Sequence, residues 1–383
     1  MQLNPVLENL GAYPIATVHE RAQALRDAGV KVFDFSIGDP REPTPEFIVA
    51  ALKDGVPAVS QYPLTAGLPE LRGAVADYVQ RRFGVTVDAA TQVIPTSGSK
   101  EAIFSTPLAF IDAASADTVV YPTPGYPVYE RGARFAGATV HPVELADDFV
   151  MRADDVPDEV WERTRMVWTC TPNNPTGAVT NAADLDALLT RARTHDALFL
   201  SDECYADIYE TDVYPTGPAS ALQVAGEGAS GLLCYLSCSK RSGMTGYRSG
   251  AIVGDERAIA ALKRLRTTTG TASPDFVQAA AVAAWSDDVH AAARRDLFAR
   301  KRKIVRAAFD AAGVKTVESH AGLYLWVAVD DDLAAAASLL EAGVVVSPGR
   351  FFGPGGEGFL RLALVPSLED CAEAADIVLR SLA

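Results

Sequence analysis

One lysine in this chain stands beside hydroxyl groups and is followed by an arginine on the same stretch. Lys240 ends the run Ser237-Cys238-Ser239-Lys240, and Arg248 lies 248 − 240 = 8 residues further on. Hydroxyl groups and a guanidinium suit a phosphate, whereas a lysine amine suits a carbonyl carbon. Pyridoxal 5′-phosphate (PLP) carries both a phosphate and an aldehyde, so this run predicts a site for that cofactor.

Three other segments would complete such a site, although each also has an ordinary explanation. Residues 96–101 form a small-residue helix start, which suits a phosphate or is simply an N-cap. Asn174 lies in a segment that a turn explains, while its amide can donate to a phenolic oxygen. Asp202 follows an apolar strand and either caps the next helix or pairs with a protonated pyridine nitrogen. The four segments together, in this order, favour the cofactor site.

Short apolar runs alternate with helical patterns through the middle of the chain. Each run is followed by polar or glycine-rich residues, which is typical of buried, largely parallel strands with functional loops at their carboxyl ends. Helices are predicted over residues 69–83 and 99–110, and a capping box of Thr17 and Glu20 predicts a helix that ends near Gly29. The predicted strands are 32–37, 118–121, 165–169, 197–201, 232–237 and 250–253.

The pattern changes near residue 278. A long helical stretch with a basic run at 294–306 precedes strands at 323–329 and 359–364, and a last helix covers 368–382. This pattern predicts a smaller α+β unit, which the N-terminal helix joins because domains often draw on both chain ends. We therefore expect residues 1–40 with 278–383 to form the small domain and residues 41–277 the large one.

Composition limits the class of protein. The formal net charge of −15 argues against nucleic acid as a partner. No apolar run is long enough for a membrane span, and the N-terminus lacks the pattern of a signal peptide. The five cysteines form no C-x-x-C pair, which indicates reduced thiols and predicts a cytoplasmic protein.

Several other patterns are not expected to carry chemistry. Residues 226–231 match G-x-G-x-x-G but precede a strand, whereas the dinucleotide motif follows one, so a loop is predicted. Residues 330–332, three aspartates, are expected to form a solvated turn rather than a metal site, and no other metal site is predicted. The basic cluster at 294–306 is expected to lie on a solvated helix face.

Taken together, the four segments resemble the class I/II aminotransferases of the aspartate aminotransferase superfamily. The resemblance runs from Ser36-Ile37-Gly38-Asp39-Pro40 to Phe359-Leu360-Arg361-Leu362-Ala363, and the separations 202 − 174 = 28 and 248 − 240 = 8 match the family. It implies the α/β PLP-dependent transferase fold, with a large, mostly parallel seven-stranded sheet domain and a smaller α+β domain built from both chain ends.

The resemblance also implies a role for each site residue. Lys240 would form the Schiff base and shuttle the proton, Asp202 would pair with the pyridine nitrogen, and Tyr126 would stack on the ring. Tyr205 and Asn174 would bind the phenolic oxygen. Arg361 would clamp the substrate α-carboxylate near the Gly38 backbone and Asn174. The expected phosphate ligands are Ser99, Lys100, Ser237, Ser239, Arg248 and, from the neighbouring subunit of a homodimer, Tyr62.

Two stretches, 62–72 and 347–356, are similar to bacterial succinyldiaminopimelate aminotransferases of lysine biosynthesis. This finer resemblance implies ping-pong transfer of an amino group from glutamate to N-succinyl-2-amino-6-ketopimelate, a dicarboxylic keto acid. Arg350 and Arg41 are candidates for binding its distal end. Aspartate, aromatic or LL-diaminopimelate specificity remains an alternative, as does a PLP-dependent C–S lyase or synthase. A regulator with an aminotransferase-like domain is disfavoured because Lys240, Asp202 and Arg361 are all present.

Overall fold

The computed structural model describes residues 1–8 and 15–382, which form twelve strands and sixteen α-helices. The strands are β1 (Phe33–Asp34), β2 (Val93–Thr96), β3 (Thr118–Thr123), β4 (Thr139–Glu144), β5 (Thr164–Cys170), β6 (Leu198–Asp202), β7 (Leu232–Ser237), β8 (Gly250–Gly254), β9 (Tyr324–Ala328), β10 (Val344–Val345), β11 (Ser347–Pro348) and β12 (Phe359–Ala363). The helices are α1 (Pro5–Glu8), α2 (Ile15–Asp27), α3 (Glu46–Asp54), α4 (Pro69–Phe83), α5 (Ser99–Ser105), α6 (Pro107–Phe110), α7 (Val128–Phe135), α8 (Asp158–Trp161), α9 (Ala182–Thr194), α10 (Ala221–Val224), α11 (Cys238–Arg241), α12 (Glu256–Thr269), α13 (Asp275–Ser286), α14 (Val289–Ala311), α15 (Asp332–Glu341) and α16 (Leu368–Leu382).

A seven-stranded sheet forms the centre of the larger unit. Its order is β2-β8-β7-β6-β5-β3-β4, and β8 runs antiparallel to both neighbours while the remaining pairs are parallel. Strands such as β7 are buried at every position, as expected when helices cover both faces of a parallel sheet. The predicted α/β class and mostly parallel sheet are confirmed. Five of the seven strands were expected from the apolar runs in the sequence, and β2 and β4 are the other two.

The smaller unit is built from both chain ends. It contains the antiparallel sheet β11-β12-β9 and the parallel pair β1-β10. Phe33 and Phe35 share its core with Phe298 and Phe309 of α14. Helix α13 instead places Trp285 in the core of the larger unit. The predicted boundary at 277/278 lies within α13, and the division into domains remains a prediction.

Local departures from the predicted elements have simple causes. The helix expected over 99–110 is divided into α5 and α6 because Pro107 cannot continue the hydrogen-bond ladder of α5. The capping box predicted at Thr17 is wrong, since α2 already includes Ile15 and Thr17 is a helical residue. The strand expected over 32–37 is reduced to β1.

The predicted solvated basic face is also wrong in part, because α14 lies against the rest of the chain. Arg294, Lys301 and Arg302 are buried. Lys301 Nζ donates to Glu42 and to the carbonyl of Leu364. A buried cation needs such partners. The Glu42 carboxylate and the Leu364 carbonyl are distant in sequence from Lys301, so the charge pattern alone could not predict these contacts.

The two discounted motifs have structural roles. Residues 226–231 form a short 3-10 turn before β7, which confirms the predicted loop. Asp331 caps α15 by accepting from two backbone N–H groups. Asp332, expected in a solvated turn, is fully buried and binds Arg350, so that part of the prediction is wrong. Residues 1–8 and 15–382 contain no group of three metal-ligating side chains.

No helix in the described part of the chain combines the length and apolar character that a membrane span requires.

A buried network of charges fixes helix α11, which carries Lys240. Arg241 Nε lies 2.7 Å from Asp207 Oδ2, and its Nη2 lies 2.7 Å from Asp288 Oδ1. Asp207 also accepts from Arg82 Nε at 3.0 Å and from the Tyr78 hydroxyl at 3.0 Å. A single carboxylate therefore connects α4 to the helix that holds the candidate lysine.

We expect Asp207→Asn to lower the free energy of unfolding by about 1.5–3 kcal/mol, because it removes the carboxylate that pairs with the partly buried Arg82 and leaves the buried Arg241 with Asp288 alone. Urea denaturation monitored by circular dichroism measures this change. Asp212→Asn is the matched control, since Asp212 pairs with Lys303 on the exposed surface and its loss should cost less than about 1 kcal/mol. Equal urea midpoints for the two variants would contradict the role of Asp207.

Candidate active site between the two units

One cavity of about 940 Å³ gathers most of the predicted site residues. Tyr126 follows β3, Asn174 follows β5, Asp202 ends β6 and Ser237 ends β7, and these four strands are neighbours in the sheet. Ligands bind at this edge of open α/β sheets. The predicted residues that line the cavity are Gly38, Ser99, Lys100, Tyr126, Asn174, Asp202, Tyr205, Ser237, Ser239, Lys240, Arg248 and Arg361.

Three of the residues singled out from the sequence lie outside this cavity. Tyr62 is fully exposed in the isolated chain. Arg350 lines a neighbouring cavity of about 820 Å³ and pairs with Asp332. Arg41 lies 3.9 Å from Asp34 on the surface. The binding roles predicted for Tyr62, Arg350 and Arg41 remain predictions.

Lys240 lies on α11, a short helix whose start is fixed by the sequence itself. The hydroxyl of Ser237 caps the helix by accepting from the backbone N–H of Ser239 at 3.1 Å. Lys240 Nζ donates to the carbonyl of Gly38, in the segment that follows β1. Burial lowers the pKa of Lys240 to about 8, and the nearby carboxylate of Asp39 only partly offsets this effect. A substantial neutral fraction near physiological pH suits a lysine that acts as nucleophile and base.

Asp202 is a buried carboxylate that is held by hydrogen bonds alone. The Tyr129 hydroxyl donates to Oδ2 at 2.8 Å, and the backbone N–H of Cys204 donates to Oδ1 at 3.2 Å. Burial raises the pKa of Asp202. Within residues 1–8 and 15–382, no cationic side chain forms an ion pair with it. A cationic ring nitrogen of a ligand would supply the missing counter-charge.

A candidate phosphate cradle, formed by Ser99, Ser239 and Arg248, lines the cavity where α5 begins. Gly98 has φ +83°, and a Cβ at this position would stand 2.4 Å from Arg248 Nη2, so glycine is needed for the arginine to lie there. Arg248 has a φ of +56°, an unusual backbone for an arginine, and such strain is common at ligand sites. No side chain caps α5, and Ser99 lines the cavity at its first turn.

Arg361 on β12 is positioned for a carboxylate. Its Nη1 donates to Asn174 Oδ1 at 3.1 Å and its Nη2 donates to Ser36 O at 2.5 Å. Its Nε is buried and has no hydrogen-bond partner among the described residues. The rings of Tyr324 and Phe352 lie 4.5 and 4.4 Å from the guanidinium carbon. The group is therefore rigid and retains a buried donor.

Three residues of the site were not predicted from the sequence. Tyr129 binds Asp202, and the hydroxyl of Tyr324 lies 3.0 Å from that of Tyr205. Phe352 covers Arg361. Tyr129 lies 129 − 126 = 3 positions from Tyr126, which is a helical spacing that gives a weak signal. Tyr324 and Phe352 meet the site only through tertiary packing, so no local signal marks them.

A serine–histidine–aspartate arrangement near the lysine carries no chemistry. His290 Nε2 lies 2.9 Å from Ser242 Oγ, and its Nδ1 lies 2.6 Å from Asp287 Oδ1. Ser242 is fully buried. A nucleophilic serine must reach its substrate, so this set is structural and supports the segment after Lys240.

The polar side chains that line the cavity match the chemical groups of PLP one by one. The cradle of Ser99, Ser239 and Arg248 suits the phosphate, Lys240 suits the aldehyde, and Asp202 suits the ring nitrogen. The unpaired Nε of Arg361 suits the carboxylate of an amino acid held beside the cofactor.

Comparison with known proteins agrees with this reading. The sequence model of the family Aminotransferase class I and II matches residues 30–378. The chain is 35% identical over 382 residues to the LL-diaminopimelate aminotransferase of Aquifex aeolicus, which covers 97% of this chain and 96% of that protein. It is 37% identical over 358 residues to the 4-dedimethylamino-4-oxo-anhydrotetracycline transaminase of Streptomyces rimosus, with coverage of 93% and 94%.

A solved structure extends the likeness to three dimensions. The probable N-succinyldiaminopimelate aminotransferase of Thermus thermophilus superposes with a TM-score of 0.87 at 29% identity, covering 96% of this chain and 99% of that chain. The fold is therefore that of the aspartate aminotransferase-like enzymes, with a large sheet unit and a smaller one. By sequence and by structure, the chain belongs to the class I and II aminotransferases, a family that depends on PLP.

Proposed function

We propose that this aminotransferase moves an amino group from glutamate to N-succinyl-2-amino-6-ketopimelate in diaminopimelate and lysine biosynthesis. The observation that carries the proposal is a second cavity beside the one that holds Lys240 and Arg361, and its charged lining consists of Arg131, Arg134, Arg350 and one carboxylate, Glu130. An acceptor with a distant second carboxylate needs such a space. Two of the relatives are named for diaminopimelate or its N-succinyl derivative, which supports the same skeleton.

The two cavities share a wall. Tyr126, Pro127, Arg131 and Phe352 line both, and Arg131 is the charged residue among these four. The second cavity of about 820 Å³ also contains Arg350, one of the two residues that the sequence suggested for binding the distal end. Positive charge at the junction suits the far carboxylate of a long substrate, because an arginine fork binds a carboxylate through two parallel hydrogen bonds.

The proposed reaction uses five side chains of the first cavity, those of Lys240, Asp202, Asn174, Tyr205 and Arg361. When bound, PLP supplies an electron sink for the charge that develops at the substrate Cα. Lys240 would accept the proton from the substrate Cα and return it to the product, and Asp202 would pair with the protonated ring nitrogen. The Oδ1 of Asn174 accepts from Arg361, and its Nδ2, together with the Tyr205 hydroxyl, would donate to the phenolic oxygen of the cofactor. Arg361 orients the substrate by its α-carboxylate.

We further propose a homodimer in which Tyr62 reaches the phosphate of the partner's site. Tyr62 is fully exposed in the isolated chain, and Val56, Val59 and Leu64 of the same segment are exposed apolar side chains. Several exposed apolar side chains on one short segment are typical of an interaction surface. Covering it with a second copy would give the exposed tyrosine a ligand to bind.

A second candidate is direct use of LL-diaminopimelate, which the 35% identity to the Aquifex aeolicus enzyme favours. The reverse reaction distinguishes the two. The purified PLP-loaded protein is supplied with 2-oxoglutarate and with either N-succinyl-LL-diaminopimelate or LL-diaminopimelate, and glutamate formation is measured. The proposal expects the higher kcat/KM with the succinylated donor.

The variant Arg131→Gln tests whether the far carboxylate binds at the junction of the two cavities. We expect it to raise the KM for the long donor, while the KM for a short monocarboxylic amino acid, which serves as the control substrate, stays unchanged. A preference for LL-diaminopimelate would establish the second candidate. Turnover of aspartate or aromatic amino acids alone would refute both, and elimination products without glutamate would indicate a lyase.

Lys240→Ala should lower kcat for transamination by ~10²- to 10⁴-fold, because it removes the amine to which the proton transfer is assigned. In the wild-type protein stripped of cofactor, the rate of covalent PLP attachment should rise with pH through about 8 and level off above it. The sign follows from burial, which lowers the lysine pKa, so the reactive neutral amine gains population as pH increases. Stopped-flow absorbance measures the rate, and Lys53→Ala, on the surface, is the control. A pH-independent rate would contradict this role.

Arg361→Ala should reduce kcat/KM for glutamate and 2-oxoglutarate by ~30- to 1000-fold, mainly through KM, since a buried carboxylate loses its charged partner. Steady-state kinetics with both substrates measure the effect. Arg361→Lys keeps the charge but loses the planar fork and should recover only part of the loss. Unchanged KM values for both substrates would remove Arg361 from carboxylate binding.

A further inference from the structure

Tyr324 is a buried tyrosine that touches three parts of the site at once. Its hydroxyl lies 3.0 Å from that of Tyr205, and its ring lies 4.5 Å from the guanidinium carbon of Arg361. A Cβ on Gly38 would stand 2.3 Å from the Tyr324 hydroxyl, so the backbone at Gly38 closes over it. No local sequence pattern marks this residue, and the mechanism above assigns it no role.

The sheet of the smaller unit fixes the pairing between Tyr324 and Arg361. Strands β9 and β12 are antiparallel, and Arg361 stands directly opposite Trp326. Tyr324 lies 326 − 324 = 2 positions from Trp326 and thus on the same face, diagonal to Arg361. Phe352 covers the other face of the guanidinium at 4.4 Å. The arginine is held between two rings, one of which also carries a hydroxyl.

The two tyrosine hydroxyls can form a directed chain. Burial raises the pKa of both Tyr205 and Tyr324, so both are protonated at physiological pH. The ionisable groups that act on Tyr324 are Arg361, Tyr205, Cys170 and Asp202. If the single proton of Tyr205 is donated to the phenolic oxygen of the cofactor, its oxygen accepts from Tyr324. A hydroxyl that accepts a hydrogen bond is a stronger donor in turn.

We propose that Tyr324 is a positioning residue with two separable functions. Its hydroxyl strengthens the hydrogen bond that Tyr205 makes to the phenolic oxygen of PLP, and its ring holds Arg361 flat for the substrate α-carboxylate. Tyr324 thereby connects the electronic tuning of the cofactor to the binding of the substrate. This inference rests on the proposed roles of Tyr205 and Arg361.

The test separates hydroxyl from ring with paired variants. Tyr324→Phe removes only the hydroxyl, and the pH titration of the visible absorbance of the bound cofactor should then show a higher pKa, because weaker donation leaves more negative charge on the phenolic oxygen. The KM for glutamate should change less than about twofold. Phe352→Leu removes one ring from Arg361 and should raise that KM roughly 2- to 30-fold with an unchanged spectroscopic pKa.

A double-variant cycle tests whether Tyr324 acts through Tyr205. Tyr205→Phe alone should raise the spectroscopic pKa, and Tyr205→Phe combined with Tyr324→Phe should raise it no further. An unchanged titration in Tyr324→Phe, or an additive shift in the double variant, would overturn the inference. Tyr324→Leu, if it folds by circular dichroism, should show both the pKa shift and the higher KM.

These results remain distinguishable from failure of the proposed function. A wild-type protein that neither binds PLP nor converts glutamate would end both accounts. A wild-type protein that transaminates while Tyr324→Phe titrates identically would end only the role of Tyr324.

Discussion

The burial of the Asp202 carboxylate is the constraint on which the site depends. The residue ends a central strand, is nearly inaccessible to water, and is held by Tyr129 and a backbone N–H rather than by a cation. A carboxylate in such surroundings is costly unless a positive group arrives. The fold therefore supplies half of an ion pair, and the pyridine nitrogen of bound PLP would supply the other half. The rest of the cavity is arranged around that ring.

The two units meet at the reacting groups. Asp202 ends a strand of the seven-stranded sheet and Lys240 lies on the helix that follows β7, whereas Arg361 lies on β12 of the smaller sheet. Among the hydrogen bonds that cross the junction are those from Lys240 to Gly38 and from Arg361 to Asn174, and the one between the hydroxyls of Tyr205 and Tyr324. Substrate binding at Arg361 is thereby connected to the groups that hold the cofactor. The same junction opens into the second, arginine-lined cavity, where the choice of substrate is expected to be made.

Local sequence predicted those features that depend on local chemistry. The apolar runs predicted the central strands. The polar residues that follow these runs identified Lys240, Asp202 and Asn174, all of which line one cavity. Features that depend on distant partners were missed. Lys301 looked solvated because its partner Glu42 is 301 − 42 = 259 residues away. Tyr324 contacts Arg361 because β9 pairs with β12, and Phe352 contacts it from the 3-10 turn that precedes β12. Neither contact can be predicted from local sequence.

The most direct test of the account is the visible absorbance of the purified PLP-loaded protein before and after glutamate is added without an acceptor. The account predicts that the band of the lysine-bound cofactor disappears as the amino form accumulates, with 2-oxoglutarate released in an amount equal to the sites present. A band that persists, with no 2-oxoglutarate formed, would contradict glutamate as the amino donor. Failure of the protein to bind PLP at all would contradict the assignment of the site.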